Sequence, residues 1–178
     1  AWNVILEERL RYTDKLKEIA KEIYAGLSGS SEKMSLSYKR KLPEEMPLDA
    51  APKALLKHAR RDDILNGSTN YGIHRDDIVI EIDGKSAREF GSQGQQRSCA
   101  LALKLAEARI VREFTKEQPI ALLDDVMSEL DPGRQDYILN HIDGWQVFIT
   151  CCDPSAKLRM FHGCTFEISR GTVLDIKK

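Results

Sequence analysis

Residues 119–132 constrain the fold of this chain more than any other stretch. Pro119 opens a short apolar run, Ile120 to Leu123, that ends in two aspartates, Asp124 and Asp125. The chain then turns through Ser128-Glu129-Leu130-Asp131-Pro132 into a new helix. An unbroken apolar run closed by acids fits a strand buried on both faces, as in a parallel sheet. Parallel strands need helical crossovers, and the flanking sequence supplies them. Upstream, a helix is predicted from about Gly94 to Thr115, with Ala100, Leu101, Leu105, Ala108 and Val111 on its buried side. Downstream, a helix runs from Pro132 to about His141 with Asp131 placed as its N-cap. Val147 to Cys151 then reads as a second buried strand. Alternating strands and helices with apolar strands mean an α/β fold.

The rest of the chain has a different register. Residues 2–27 form a long amphipathic helix in which Leu6, Leu10, Leu16, Ile19, Ile23 and Leu27 recur at helical spacing. Met34, Leu36 and Tyr38 alternate with polar residues as a half-buried strand. Pro43 and Pro47 break the chain after this strand. A helix from about Ala50 to Leu65 has Asp49 as its cap, Leu55, Leu56, Ala59 and Ile64 as its apolar face, and Gly67 as its stop. Residues 1–67 are therefore expected to be a mostly helical arm, and 68–178 a second domain. In the latter, Ile78 to Ile82 is a strand and Asp83-Gly84 a tight turn. A short helical segment is expected near Ser155 to Phe161. A closing hairpin pairs strands near Thr165–Ser169 and Thr172–Ile176 about Arg170-Gly171.

Composition narrows the function classes. With 27 basic and 28 acidic residues the formal charge is −1, so no global electrostatic footprint of a nucleic-acid binder is present. A local patch is still allowed, and two basic clusters are candidates for phosphate contacts: Lys39, Arg40 and Lys41, and Lys53, Lys57, Arg60 and Arg61. The four cysteines have no zinc-ligand spacing. Adjacent Cys151 and Cys152 are expected to be small buried hydrophobes in a reducing compartment. No apolar stretch is long enough for a membrane span, and a cytoplasmic address is expected.

Two stretches carry chemistry. Asp124 and Asp125 end a strand where an open α/β sheet presents ligands at its carboxyl edge. The first carboxylate can hold Mg²⁺ beside nucleotide phosphates, and the second can orient an attacking water. Alone, such a strand end is as readily a pair of solvated acids. The second stretch is Gly91-Ser92-Gln93-Gly94-Gln95-Gln96-Arg97-Ser98. Its glycines allow close backbone approach, Ser92 offers a hydroxyl, and the new helix aims unpaired N–H groups at the loop. That combination suits a terminal phosphate, although a Ser-capped helix start alone is common. No GxxxxGK[ST] loop occurs anywhere in the chain.

Together, GSQGQQRS, LALKLAEARIV and IALLDDVMSELDPGRQ resemble the RecF family of ABC/SMC-type ATPases. Gln93 stands where transporters carry Gly, and the acid pair is Asp-Asp rather than Asp-Glu, as in that family. Gly72-Ile73-His74-Arg75-Asp76-Asp77 is similar to its GPHRDD element, with Ile73 in place of Pro. The resemblance implies the C-terminal lobe of an ATPase head in which ATP is sandwiched between two subunits. Ser92, Gln93, Gly94, Gln95 and Gln96 would then form the signature motif, facing nucleotide on the opposite subunit. Asp124 would bind Mg²⁺, Asp125 would position the hydrolytic water, and Thr150 falls where transporters place a switch His. Ser128 and Asp131 would lie at the dimer seam. The implied partners are an N-terminal half carrying Walker A, a second copy, DNA, and RecR- and RecO-like mediator proteins. The implied setting is DNA repair, recombination, replication and the SOS response.

Other readings are weaker. His74-Arg75-Asp76 copies a kinase catalytic-loop triplet, but no accompanying kinase motif is present. His74, Asp76 and Asp77 lack a second cluster for metal binding and are expected to serve structure or the dimer surface. A two-metal phosphohydrolase built on Asp124 and Asp125 would need further ligands at telling spacing. An ATP-independent scaffold remains open, as does the C-terminal half of another SMC-like repair ATPase.

Overall fold

The computed structural model describes residues 2–42, 52–127, 130–142, 144–152 and 163–177. It contains two compact units, Ala1–Ile110 and Val111–Lys178. The sequence expectation divides the chain after residue 67 instead, yet strands from either side of that point share one sheet.

In the first unit, α1 (Trp2–Leu27) packs on β1 (Met34–Lys39). The strand pairs antiparallel with β2 (Asp77–Ile82), from Met34 opposite Ile82 to Lys39 opposite Asp77. Leu16, Ile19, Ala20, Ile23, Tyr24 and Leu27 are buried along α1, and Met34 and Leu36 along β1. The buried stripe of α1 is shorter than expected, since Leu10 is exposed and Leu6 only half-buried. A strand of 6 residues against a helix of 26 explains this, because β1 is about half as long as α1. The turn after β2 has φ 50° at Asp83 and 76° at Gly84, the left-handed pair that a tight two-residue hairpin needs. It leads into β3 (Lys85–Ser86) and the short helix α3 (Ala87–Phe90).

Helix α2 (Pro52–Asn66) lies in the first unit. The expected cap Asp49 and the breakers Pro43 and Pro47 fall outside the described residues. Leu55 and Ala59, one turn apart, are buried, whereas Leu56 and Ile64 are exposed, contrary to the predicted face. The covered seam is narrow, and a step of one residue rotates a side chain by about 100° away from it.

Helix α4 (Gln93–Thr115) buries Ser98, Cys99, Leu101, Ala102, Leu105 and Ala106. Of the expected face, Leu101 and Leu105 are buried, Ala108 is intermediate, and Ala100 and Val111 are exposed. Hydrophobicity alone overlooks Ser98. Its hydroxyl donates to the Gly94 carbonyl at 2.8 Å, so the group enters the core with a partner.

In the second unit, β4 (Ala121–Asp124) and β5 (Val147–Thr150) pair in parallel, Ala121 with Val147 through Asp124 with Thr150. The parallel pairing agrees with the sequence; the expected double-sided burial does not. Leu123 is buried, but the register partners Leu122 and Phe148 are 74% and 57% exposed. Ile120 precedes the strand and is exposed. Cys151 and Cys152 follow β5 and are exposed, correcting the expectation that they are core residues. Leu123, Met127, Leu130, Ile138 and Ile142 are the buried apolar side chains described in this unit, the last two from α5 (Pro132–His141) and its cap. Strands β6 (Thr165–Ser169) and β7 (Thr172–Lys177) form the expected hairpin. The expected segment near Ser155 to Phe161 lies outside the described residues.

Candidate functional site

The acid pair sits at the carboxyl ends of β4 and β5, and Thr150 links its two members. The Thr150 hydroxyl donates to Asp124 Oδ1. Thr150 Oγ1 in turn accepts the Asp125 backbone N–H at 3.0 Å, and the Thr150 carbonyl accepts it at 3.2 Å. Because Asp124 and Thr150 are register partners, the parallel pairing itself brings the hydroxyl to the carboxylate. Asp125 has φ 51°, a left-handed conformation that Asp tolerates better than most side chains but that still costs energy. Its backbone N–H bonds hold it there. Asp124, Asp125 and Thr150 are all exposed. Oxygen donors of this kind suit Mg²⁺, with phosphate and water completing its shell. Among the described residues no cluster of three or more His, Cys, Asp or Glu side chains could hold a metal unaided.

After β4 the chain turns into α5. Asp131 caps this helix as expected, accepting the Arg134 N–H at 3.1 Å, and its carboxylate pairs with Arg134 Nε at 3.1 Å. Gln135 has no marked signal in the sequence, yet its side-chain amide donates to the Met127 carbonyl at 2.6 Å and the Leu130 carbonyl at 3.0 Å. It closes the turn from the helix side. Ser128 lies outside the described residues.

The Gly91–Ser98 stretch belongs to the first unit and has its own geometry. Ser92 precedes α4, and its Oγ accepts the Gln95 N–H at 3.2 Å. Gln95 Oε1 in return accepts the Ser92 N–H at 2.8 Å, a reciprocal capping box. The Gln95 amide nitrogen donates to Glu32 Oε1 at 2.8 Å. Gln96 donates to the carbonyls of Gly91 at 3.1 Å and Arg88 at 3.3 Å. Gln95 and Gln96 thus hold the loop in shape, while Ser92 and Gln93 are exposed and Gly94 is half-buried. Gly91 is required by its neighbour: a Cβ there would stand 2.4 Å from the Ala87 carbonyl oxygen. Its smallness serves loop packing, where the sequence points to ligand approach.

Residues of the GIHRDD element make hydrogen bonds within the first unit. Asp76 accepts from the Tyr38 hydroxyl at 2.7 Å and the Lys41 N–H at 3.0 Å, while Arg9 donates to the Ile73 carbonyl. Burial, followed by the Asp76 carboxylate, outweighs Arg9 and raises the Tyr38 pKa above the ordinary phenol value. The basic clusters are on the surface: Lys39, Lys41, Lys53, Lys57, Arg60 and Arg61 are exposed and Arg40 is half-buried. No helix among the described residues is long and apolar enough to cross a membrane.

Comparison with known proteins adds to this geometry. No protein-family model matches the chain. A DNA replication and repair protein RecF from Clostridium kluyveri is 42% identical over 172 residues, 96% of this chain and 47% of that protein. The solved structure of the recombination mediator protein RecF-ATP superposes with a TM-score of 0.74 at 34% identity, covering 99% of this chain and 47% of that one. An SMC ATPase shares the fold, with a TM-score of 0.55 at 16% identity, over 99% of this chain and 88% of that one. The chain spans about half the length, or somewhat less, of the curated relatives it matches. The fold is therefore an α/β lobe of the ABC type, and the chain belongs to the RecF family as a C-terminal portion.

Proposed function

We propose that the chain supplies the signature motif and Walker B acids of an ATP-dependent DNA clamp for recombinational repair. In this reading ATP is held between two copies of the intact protein. The N-terminal half contributes Walker A, and the Ser92 hydroxyl and the N-terminal turn of α4 at Gln93 and Gly94 meet the terminal phosphate of the opposite copy. Gln95 and Gln96 shape that loop. Bound Mg²⁺ would neutralise charge on the phosphates, with Asp124 as its carboxylate ligand. Asp125 would accept a hydrogen bond from the attacking water, and Thr150 holds both acids in place. Ser128 and Asp131 would line the seam between copies. Asp125 is one methylene shorter than Glu, which favours slow turnover. Lys39, Arg40, Lys41, Lys53, Lys57, Arg60 and Arg61 would meet DNA phosphates, and RecR- and RecO-like mediators would be partners in the cytoplasm.

The observation that carries this reading is the Thr150 hydroxyl, shared between the Asp124 carboxylate and the Asp125 backbone at the carboxyl edge of a parallel pair. The likeness to RecF-ATP and to an SMC ATPase described in terms of ATP-driven dimerization supports it. Light scattering on the full-length protein, with and without Mg-ATP, tests it. A doubling of mass that depends on Mg-ATP is expected; a mass indifferent to saturating nucleotide sinks the clamp.

A further inference from the structure

The Ser92–Gln95 box is held from outside by a residue far away in sequence. Glu32 lies in the loop between α1 and β1, and its two carboxylate oxygens face different partners. Oε1 accepts from the Gln95 side-chain amide at 2.8 Å, and Oε2 accepts from the Tyr24 hydroxyl. Tyr24 is fully buried on α1, so its hydroxyl is a fixed point. The Glu32 backbone is equally restrained by its neighbour. Lys33 N–H donates to Asp83 Oδ1 at 3.0 Å, and the Asp83 N–H donates back to the Lys33 carbonyl at 2.9 Å. Met34 then enters the sheet opposite Ile82. Glu32 is thus anchored by the helix, by the hairpin turn and by the strand register before it reaches Gln95.

The orientation it imposes matters chemically. With its nitrogen tied to Glu32, the Gln95 amide turns its oxygen to the Ser92 N–H. Ser92 Oγ in turn accepts the Gln95 N–H, which commits a lone pair and leaves the hydroxyl proton to point elsewhere. A carboxylate accepting from an amide is a stronger restraint than a neutral pair.

We propose that Glu32 is the positioning residue of the Ser92 loop, presetting the serine hydroxyl as a donor to the terminal phosphate and linking that loop to α1 through Tyr24. This rests on the clamp reading, in which Ser92 meets phosphate. Glu32 touches no nucleotide; it acts through Gln95.

Three variants of the full-length protein test it: E32A, E32Q and Y24F. In E32A, hydrogen exchange at the Ser92 and Gln95 amides rises several-fold while that of Leu101–Leu105 is unchanged. The Mg-ATP concentration for half-maximal dimerisation rises about tenfold. E32Q keeps an acceptor for Gln95 and stays within about threefold of the parent, and Y24F falls between the two. A general loss of folding would raise exchange throughout α4, which separates positioning from stability. The inference is overturned if E32A leaves Ser92 exchange and the dimerisation midpoint as in the parent, or if E32Q is as defective as E32A. Should the parent fail to dimerise with Mg-ATP, the clamp reading falls, and the exchange pattern alone decides the Glu32 linkage.

Discussion

Thr150 and Asp124 face each other across the parallel pair, and the threonine hydroxyl donates to the aspartate carboxylate while accepting the N–H of Asp125. One side chain thereby sets the orientation of one acid and the backbone of the next. Replacing Thr150 with Val removes both bonds at nearly constant volume. ATP turnover of the full-length protein is expected to fall at least about tenfold, with Ser restoring it, because bonds to a charged group are among the stronger ones. Steady-state ATPase assays, with thermal melts to verify folding, measure this; a fully active T150V would remove Thr150 from the site.

Asp125→Asn retains the side-chain shape and the tolerance for left-handed φ but lowers basicity and removes the charge. ATP-dependent dimers are expected to persist, with hydrolysis reduced by about a hundredfold. Size-exclusion chromatography after a nucleotide chase reads dimer lifetime, and normal hydrolysis by the variant would exclude Asp125 as the water-orienting group.

Ser92→Arg places a long cation where the capping hydroxyl stands. Dimerisation with Mg-ATP is expected to be lost, while nucleotide binding by the monomer, followed by fluorescence of an ATP analogue, remains within about twofold of the parent. Unchanged dimer content in light scattering would count against a seam position for Ser92.

Gly91→Ala tests the loop independently of nucleotide. The new Cβ would meet the Ala87 carbonyl oxygen at 2.4 Å, so α3 or the loop must shift. A destabilisation of about 1–3 kcal/mol is expected, read from the denaturation midpoint. A wild-type midpoint would show that the loop adjusts freely.

Alkaline pH tests the Tyr38–Asp76 clasp. Burial is the main cause of the raised Tyr38 pKa, so the folded state holds the phenol proton more tightly than the unfolded chain. The stabilisation is full below the unfolded pKa of about 10 and disappears as pH rises through the higher folded value. Tyr12 shifts the same way, through burial and then Glu107. Denaturation midpoints above pH 10 should decline less steeply in Tyr38→Phe than in the parent. An identical slope would mean that this phenol is not linked to folding.

Local elements are legible in the order of residues. Helical spacing marks α1 from Trp2, Asp83-Gly84 and Arg170-Gly171 mark their hairpins, and Asp131 marks the start of α5. These features depend on neighbours a few residues apart, so composition and order suffice to specify them. Which faces are covered, and which distant groups meet, is settled only when the chain is folded. Leu122 and Phe148 look like core residues in sequence, but burial depends on what lies against a strand. Ser98 looks like surface until its bond to Gly94 is seen, and Gln135 is unremarked until it closes the turn after β4. Glu32 carries no sequence signal at all. Its role comes from the β1–β2 register and from Tyr24 together, which carry a carboxylate to Gln95 across 63 residues of chain. No local pattern encodes such a contact, because its geometry exists only once the sheet has closed.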